Sequence, residues 1–458
     1  MRRVCRAWGS RVFAALALAS CACGNAPHVV LVSIDTLRPD HLSIYDYERG
    51  TTPMLAEFDT EGVIFDEAIA AQTSTAPSHA SMLTGLYPPA HGVRQNRSRL
   101  ADGVPTLGEI LGAAGYRTAG FVSGFTLNAA HTGLDRGFDL YDDLEERERR
   151  AAATLRRVMV WLEEAAAGSE PLFLFVHFYD PHYSYNAPEP FASQYLKPGT
   201  PHRREPVADL ERLRAGDREP GELDEYIRRY DGEIAYADYA FAVLRKALRE
   251  LRLWDDSIVI VVSDHGETLD ERSWALDHGG RVTEEQIRIP LAIRLPGGRH
   301  GGHRVAAAAH HVDLLPTLLD LLGHPVPEGL HGRSLRPLIE GREPDSPDRA
   351  LLSYARALPE RIPELPDLTR GGAQVALRAP PYKLVAHPAK GGTLYRLFDL
   401  EADPGERNDL AAERPDLLAS LTAQLKALQA KIGDTGTAPV SELPPEAEAK
   451  LRALGYVP

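Results

Sequence analysis

The sequence predicts an α/β protein with a parallel sheet, followed by a smaller unit of antiparallel strands. Two apolar, β-branched runs, HVVLVSI from His28 and SIVIVV from Ser257, are typical of parallel strands buried on both faces. Segments with helical periodicity alternate with such runs, which is the pattern of βαβ units. Near the C-terminus, short strands follow one another at hairpin spacing and precede an amphipathic helix. A chain of 458 residues suits one large domain or two unequal ones.

The predicted elements follow this plan in chain order. Strands are predicted at 28–34, 116–122, 171–179 and 257–262, from about 287, and at 376–378, 383–386 and 393–400. Helices are predicted at 105–114, 151–167, 224–251, 314–322 and 414–432. Residues 196–223 lack periodicity, which indicates a surface insertion or a lid, and a solvated loop is the simpler interpretation. We therefore predict a catalytic domain over 28–340, a C-terminal α+β subdomain over 341–432 and a mobile tail over 433–458.

The charge balance limits the partners. The formal net charge is −14, so the surface repels nucleic acid and anionic lipid headgroups. A small anionic substrate would then need local positive charge, which a metal ion supplies most simply.

All three cysteines, Cys5, Cys21 and Cys23, lie near the N-terminus, so no disulfide holds the body of the chain together. A basic segment, a short apolar run and small residues before Cys21 predict a lipoprotein signal over 1–20 and a tether over 21–27. Cys21 would be the lipidated residue. A plain cleaved signal and an uncleaved anchor are the alternatives. The lipoprotein interpretation places the protein outside the cytoplasm, anchored by lipid to a bacterial membrane, in the periplasm or at the cell surface.

Acidic residues and a histidine follow two of the buried strands directly. Asp35 ends the first strand, and Asp264 and His265 end the strand from Ser257, where Gly266 allows a sharp turn. Ligands bind beyond the carboxyl ends of parallel strands, so these side chains would share one crevice. Two carboxylates and an imidazole suit a divalent metal. The simpler alternative for Asp35 is an ordinary turn cap.

A hydroxyl-bearing loop, TSTAPSHASMLTG, runs from Thr73 to Gly85. Pro77 suits the first turn of a helix, which places Thr75 at the positive end of the helix dipole. That position favours a group that attacks or holds an anion. Thr75 could also complete the metal set as an activated nucleophile. The alternative is an ordinary helix cap.

Further histidines follow later strand ends. Asp180 and His182 lie after the strand PLFLFVHFY, and His278 lies in the glycine-rich loop DHGG. His177 lies inside that strand, where we predict a satisfied core histidine rather than a ligand.

Taken together, HVVLVSIDTLRPDHL, APSHASMLTGLYPPAHGV, FVHFYDPHYSY, SDHGE and LFDLEADPGERNDLA resemble the sulfatase family of the alkaline phosphatase superfamily. The resemblance implies an alkaline phosphatase-like α/β/α sandwich that hydrolyses sulfate or related phosphate esters at a metal site. Asp35 matches the family's first metal-binding acid, but Thr36 stands where a second acid is usual. Asp264 and His265 match the second metal-binding pair.

The same resemblance gives roles to the other polar residues. His182 and His278 fall where relatives bind the anion or protonate the leaving oxygen. One ion requires Asp35, Thr75, Asp264 and His265, whereas two ions would recruit Asp180 or His182 and His278. Formylglycine sulfatases hold calcium, and His265 makes zinc or manganese equally reasonable.

One departure from the family pattern matters most. Thr75 occupies the position of the cysteine or serine that becomes formylglycine, and His79 replaces the motif's arginine. Threonine cannot yield the aldehyde, so the chain resembles the threonine-nucleophile branch, which handles phosphodiesters, phosphonates and phosphoethanolamine transfer. We predict a metal-dependent hydrolase of sulfate, phosphate or phosphonate esters. The alternative is a catalytically silent, lipid-anchored binding protein that keeps the fold.

Overall fold

The computed structural model describes residues 26–144, 148–200, 212–213, 216–219, 221–272, 275–344, 349–357, 373–389 and 391–436. The predicted lipoprotein signal with Cys21, and the predicted tail beyond residue 436, lie outside these ranges and stay predictions. Within the ranges, no helix is both long and apolar enough to cross a bilayer.

A large mixed sheet forms the centre of the described part of the chain. Its strands are β1 (His28–Ile34), β2 (Val63–Ile69), β3 (Arg117–Val122), β4 (Leu140–Asp142), β5 (Leu172–Phe178), β6 (Ser257–Ser263), β7 (Arg288–Arg294), β8 (His303–Val305) and β9 (Ala309–His310). The order across the sheet is β4-β3-β5-β1-β6-β7-β2-β8, and β9 also pairs with β2. The first five strands of this order, β4, β3, β5, β1 and β6, are parallel to one another, as predicted for a parallel sheet. Strand β7 is antiparallel to both β6 and β2, so the sheet is mixed rather than wholly parallel.

Helices pack on the two faces of the sheet and on the C-terminal unit. They are α1 (Phe58–Glu61), α2 (Thr75–Thr84), α3 (Pro88–His91), α4 (Leu107–Ala113), α5 (Ala129–Thr132), α6 (Ala151–Ala165), α7 (Phe191–Gln194), α8 (Glu222–Glu250), α9 (Glu284–Ile287), α10 (Leu314–Leu321), α11 (Arg336–Ile339) and α12 (Pro415–Ile432).

The three-layer arrangement follows from the alternation of side chains along β1. Val30 and Val32 point into the core that contains residues of α6 and α8. Val29 and Leu31 point into the opposite core, which contains residues of α2, α4 and α10. Because successive side chains of a strand face opposite ways, a strand covered on both faces must be apolar throughout. The α/β/α sandwich predicted from the sequence is confirmed.

A second, antiparallel sheet forms the C-terminal unit. Its strands are β10 (Leu351–Tyr354), β11 (Val375–Ala379), β12 (Tyr382–Ala389) and β13 (Gly392–Asp399), in that order. Leu377 and Leu384 pack with Leu421 and Leu425 of α12 on one side of this sheet. Ala376 and Val385 pack with residues of the large domain on the other. The predicted small sheet and helix are therefore present, and the domain boundary near 340 stays a prediction.

Candidate metal centre and active site

Two neighbouring strands bring distant acids together. Strands β1 and β6 are parallel, with Ile34 in register with Ser263, so Asp35 and Asp264 leave adjacent strand ends. Ligand atoms of Asp35, Asp264 and His265 all lie within 4.8 Å of one another. His265 Nε2 is 3.4 Å from Asp264 Oδ2 and 3.9 Å from Asp35 Oδ1. The structure thus forms the group that the sequence predicted.

Backbone hydrogen bonds orient Asp264. Its Oδ1 accepts hydrogen bonds from the N–H of Thr36 at 3.1 Å and from the N–H of His265, the next residue, at 2.9 Å. The second oxygen, Oδ2, is left to face the cluster. Thr36 adopts a left-handed backbone conformation with φ +53°, a strained choice for a β-branched residue.

A backbone carbonyl fixes the tautomer of His265. Its Nδ1 lies 2.9 Å from the carbonyl oxygen of Gly266, which can only accept, so Nδ1 carries the hydrogen. Nε2 then presents a lone pair to the carboxylates, the usual arrangement of a metal-binding histidine. Residue 266 must be glycine, because an added Cβ would lie 2.1 Å from the carbonyl oxygen of Glu285.

The electrostatics of this group fit a cation. Both oxygens of Asp35, Oδ2 of Asp264 and Nε2 of His265 are buried and have no hydrogen-bond partner among the described residues. Burial raises the pKa of Asp35, and the nearby carboxylate of Asp264 raises it further. Buried carboxylates without partners are costly, and a divalent ion offsets that cost directly. The residues present therefore fit a metal ion.

Thr75 is the first residue of α2 and its hydroxyl is fully buried. In the part of the chain that the structure describes, Thr75 Oγ1 has no hydrogen-bond partner. His79, one turn later, donates from Nδ1 to the Thr75 carbonyl at 2.8 Å and lies 3.9 Å from Asp264 Oδ2. This contact ties the start of α2 to the acidic cluster. The sequence placed Thr75 just before the helix, and the structure places it at its first position.

The N-terminus of α2 offers few free donors for an anion. The N–H of Ala76 donates to Asn96 Oδ1 at 2.9 Å, and that of Ser78 donates to the Ser74 carbonyl at 3.2 Å. Pro77 between them has no N–H. Residues 76–78 therefore contribute the helix dipole rather than hydrogen bonds to bound oxygens.

His79 itself is a neutral group. Its Nε2 lies 2.9 Å from Ser33 Oγ on β1, and burial lowers its pKa to about 3. With Nδ1 donating to a carbonyl, Nε2 accepts from the serine hydroxyl.

His182 and His278 line one side of the cluster. The ring centroids of His278 and His265 are 4.6 Å apart, and those of His278 and His182 are 5.0 Å apart. His182 Nδ1 lies 2.6 Å from the Tyr183 carbonyl, and His278 Nδ1 lies 3.3 Å from Glu267 Oε1. Burial, with His278 nearby, lowers the pKa of His182 well below its ordinary value. Both predicted histidines thus adjoin the candidate metal ligands.

Asp180 has a different set of contacts. Its Oδ2 accepts the N–H of Ala151 at 2.8 Å, which caps the start of α6. Burial raises the pKa of Asp180, and burial together with Asp180 raises that of Glu233. The structure does not bring Asp180 into the group formed by Asp35, Asp264 and His265.

His177, which the sequence predicts to be a satisfied core histidine, lies against Asp35. Its Nε2 is 3.4 Å from Asp35 Oδ2, and both ring nitrogens lack hydrogen-bond partners within the described ranges. Burial lowers its pKa to about 4. In the sequence, the signal was a polar residue in an otherwise apolar strand. In the parallel register of β5 and β1, His177 lies opposite Ser33, two residues before Asp35.

An α/β/α fold with a buried acid–histidine centre beside a helix-terminal hydroxyl defines a class of ester hydrolases with a candidate divalent-metal site. The family model described as Sulfatase matches residues 27–324. A second model, described as N-sulphoglucosamine sulphohydrolase, C-terminal, matches residues 278–431. The chain belongs to the sulfatase family, the sulfuric ester hydrolases of the alkaline phosphatase superfamily.

Relatives in this superfamily differ in what their names say they act on. An ulvan-active sulfatase of Formosa agariphila is 26% identical over 438 residues, covering 89% of this chain and 82% of the relative. A multifunctional alkaline phosphatase superfamily protein of Trinickia caryophylli is 25% identical, covering 84% of this chain and 91% of the relative.

Solved structures share the fold over most of the chain. The phosphonate monoester hydrolase of Agrobacterium radiobacter superposes with a TM-score of 0.73 at 24% identity, covering 91% of this chain and 100% of that one. A protein in complex with its substrate D-glucosamine-2-N,6-O-disulfate gives a TM-score of 0.74 at 20% identity, covering 89% and 98%. At these sequence identities, the structural similarity establishes the fold alone.

Proposed function

We propose that this protein is a metal-dependent hydrolase of anionic phosphate, phosphonate or sulfate esters that uses Thr75 as its nucleophile. The observation that carries the proposal is the buried Thr75 hydroxyl, which has no described hydrogen-bond partner. It lies at a helix start whose backbone His79 ties to the cluster, where both oxygens of Asp35 and Oδ2 of Asp264 also lack a described partner. A hydroxyl held at a helix N-terminus beside a cation is an activated nucleophile.

Asp35, Asp264 and His265 would hold the ion, which supplies positive charge for the substrate's nonbridging oxygens and lowers the pKa of the hydroxyl. Thr75 Oγ1 releases its proton to solvent and attacks phosphorus or sulfur in line with the departing ester oxygen. The bond from Thr75 forms as the ester bond breaks. Water then attacks the resulting threonine ester, and one of its protons restores the Thr75 hydroxyl as that bond breaks. The dipole of α2 stabilises the added negative charge.

His182 or His278 would protonate the leaving oxygen. The Nδ1–H of His182 is committed to the Tyr183 carbonyl, so Nε2 is the atom that would carry the transferred proton. Burial, with His278 nearby, lowers the pKa of His182 and so favours its neutral form. A bound anionic ester raises that pKa again, since an opposite charge favours the imidazolium. Proton transfer is thereby coupled to substrate binding.

Threonine favours phosphoryl over sulfuryl esters. Threonine cannot become formylglycine, so the protein cannot release sulfate through an aldehyde hydrate. Direct displacement of the ester oxygen is the route that remains. The names of the relatives include both sulfatases and phosphonate monoester hydrolases. We propose phosphodiesters and phosphonate monoesters as the first substrates to test, with sulfate esters beside them.

A catalytically silent binding protein is the second candidate. The replacement of both family motif residues, by Thr75 and His79, favours it. Stoichiometric metal without turnover on aryl sulfate, phosphodiester and phosphonate monoester substrates would support this candidate.

Thr75→Ala tests the proposed nucleophile. We expect turnover on the best substrate of the panel to fall by on the order of 10³-fold or more, because removal of a nucleophile removes the main covalent step. Metal content and melting temperature should stay at wild-type values. The matched control is Thr75→Ser, which keeps the hydroxyl and should retain measurable turnover. Equal turnover in the wild type and Thr75→Ala would remove Thr75 from the mechanism.

A further inference from the structure

We propose that His177 is a fourth ligand of the cation held by Asp35, Asp264 and His265, which makes the centre a site for zinc or a similar transition metal. The inference rests on the metal site of the proposed function and deepens it by naming a ligand and the class of metal.

The position of His177 in the sheet carries the first part of the argument. It lies on β5, which pairs with β1, and the N–H of Asp35 donates to the carbonyl of the next residue, Phe178, at 3.0 Å. His177 Nε2 is 3.4 Å from Asp35 Oδ2, whereas His265 Nε2 faces the other oxygen, Oδ1, at 3.9 Å. The carboxylate of Asp35 therefore lies between two imidazoles.

Two of the donor separations match those around one small ion, and a third, from His265 Nε2 to Asp35 Oδ1, is longer at 3.9 Å. Donors about 2.0–2.1 Å from a tetrahedral zinc ion lie roughly 3.3–3.4 Å from one another. The pairs His177–Asp35 and His265–Asp264 are each 3.4 Å apart. A donor atom of His177 also lies within 4.8 Å of one of Asp264.

His177 lacks the contacts of a structural core histidine. It is 0% exposed, and neither ring nitrogen has a hydrogen-bond partner among the residues that the structure describes. A neutral imidazole carries one donor and one acceptor, and leaving both unpaired in the core costs free energy. Coordination by Nε2 would satisfy the acceptor.

His79 does not provide that partner or a separate metal site with His177. Its ring is 5.0 Å away and perpendicular, and both of its nitrogens are engaged, with the Thr75 carbonyl and with Ser33 Oγ. A site built on His79, His177 and Asp264 would have to break at least one of these hydrogen bonds. The arrangement instead favours His177 acting with Asp35.

Ligand chemistry then selects the metal class. Thr36 replaces an acid of the family pattern, so the centre has lost one hard oxygen ligand, and His177 adds a nitrogen. Calcium takes six to eight oxygen ligands, whereas two carboxylates with two imidazoles suit zinc and its first-row neighbours. His177 compensates for Thr36 and changes the preferred ion.

His177→Phe tests this assignment through metal binding rather than turnover. We expect the purified wild type to bind zinc more tightly than calcium in a chelator competition. His177→Phe should bind zinc at least about 10-fold more weakly, since even loss of a residue that only orients a ligand costs about 10–100-fold. The visible spectrum of cobalt-substituted protein should also change, because the ion loses a nitrogen donor. The melting temperature of the metal-free protein should be unchanged or higher, because an unpaired polar ring is removed.

His91→Phe is the matched control. His91 is equally buried, but it bonds with Ser81 Oγ at 3.0 Å and accepts the Val93 N–H at 3.1 Å, so its loss should lower the melting temperature and leave zinc affinity unchanged. If His177→Phe does not fold, His177→Asn replaces it. Wild-type zinc affinity in a folded His177 variant would overturn the assignment while leaving the Thr75 mechanism intact. A wild type that prefers calcium would overturn the metal class, and one that binds no metal would overturn the proposed function as well.

Discussion

Two ligands of the candidate centre, Asp264 and His265, each have one polar atom fixed by the backbone and the other left for the ion. Asp264 uses Oδ1 for two N–H groups and His265 uses Nδ1 for a carbonyl, so only Oδ2 and Nε2 face the cluster. Such outer contacts set tautomer and orientation before the metal arrives. Thr36 is part of this scaffold through its N–H, which donates to Asp264 Oδ1.

Thr36→Asp should move the metal preference toward calcium. The change adds a hard oxygen ligand next to Asp35, and aspartate tolerates φ +53° better than a β-branched residue does. We expect calcium affinity to rise by about 10-fold or more, measured by titration calorimetry on metal-free protein. Thr36→Asn is the matched control, with the same shape and no charge. An equal rise in calcium affinity in both variants would show that relief of backbone strain at residue 36, and not the added carboxylate, causes the effect.

Most single residues of the site could be predicted from the sequence, and the exceptions have physical reasons. Asp35, Asp264, His265 and Thr75 follow strand ends or begin a helix, where local pattern indicates a site. His177 lies inside an apolar strand, and only the register of β5 against β1 shows that it reaches Asp35. Register between strands far apart in sequence is not visible in the local pattern.

At the scale of elements, strand β2 shows why the alternation of side chains did not predict every strand. Its sequence VIFDEAI is interrupted by Asp66 and Glu67, and its register with β7 shifts between Phe65 and Ala68. The two acids leave the core there and pair with arginines, Asp66 with Arg304 and Glu67 with Arg378. A bulge of this kind breaks the two-residue alternation that predicts a strand. Strand β2 was therefore absent from the prediction.

A buried ion cluster joins the C-terminal sheet to the large domain. Lys383 of β12 is 0% exposed, and its Nζ lies 2.9 Å from Glu284 Oε1 and 2.7 Å from Glu406 Oε1. Glu284 begins α9, directly before β7 of the large sheet. Burial alone would raise the pKa of Glu284, but Lys383 and Arg378 outweigh it and lower the pKa to about 2.

Lys383→Met should destabilise the protein by about 3 kcal/mol, because Glu284 and Glu406 lose the buried cation that they share and keep only Arg378 and Arg272. Chemical denaturation at pH 7 measures the loss. Lys246→Met is the matched control, since Lys246 pairs with Glu250 on the exposed face of α8, and it should cost at most about 0.5 kcal/mol. Equal effects of the two substitutions would contradict a stabilising role for the buried cluster.

The same cluster predicts an acid dependence of stability. Because the folded pKa of Glu284 lies below its ordinary value of 4.5, its contribution is present above that value and is lost as the pH falls toward about 2. The loss of stability between these pH values should be smaller in Lys383→Met than in the wild type.

At the scale of the whole molecule, the sheet gathers residues from distant parts of the chain into one crevice. The strand order places β1 between β5 and β6, so the ends of these three strands supply Asp35, His177, Asp264 and His265. The sequence predicted the parallel half and the three layers. It could not predict that β7 runs antiparallel, because a strand buried on both faces has the same apolar pattern in either direction.

The most direct test of the account is the metal content per chain of the wild type and of Asp264→Asn, purified in parallel and equilibrated with zinc, manganese or calcium. Asparagine keeps the shape of Asp264 and removes the charge that the ion balances. We expect one firmly bound ion per wild-type chain and almost none in the variant, with turnover lost in proportion. Equal metal content in both proteins, or a wild type that binds none of the three metals, would contradict the central claim that Asp35, Asp264 and His265 share one ion beside Thr75.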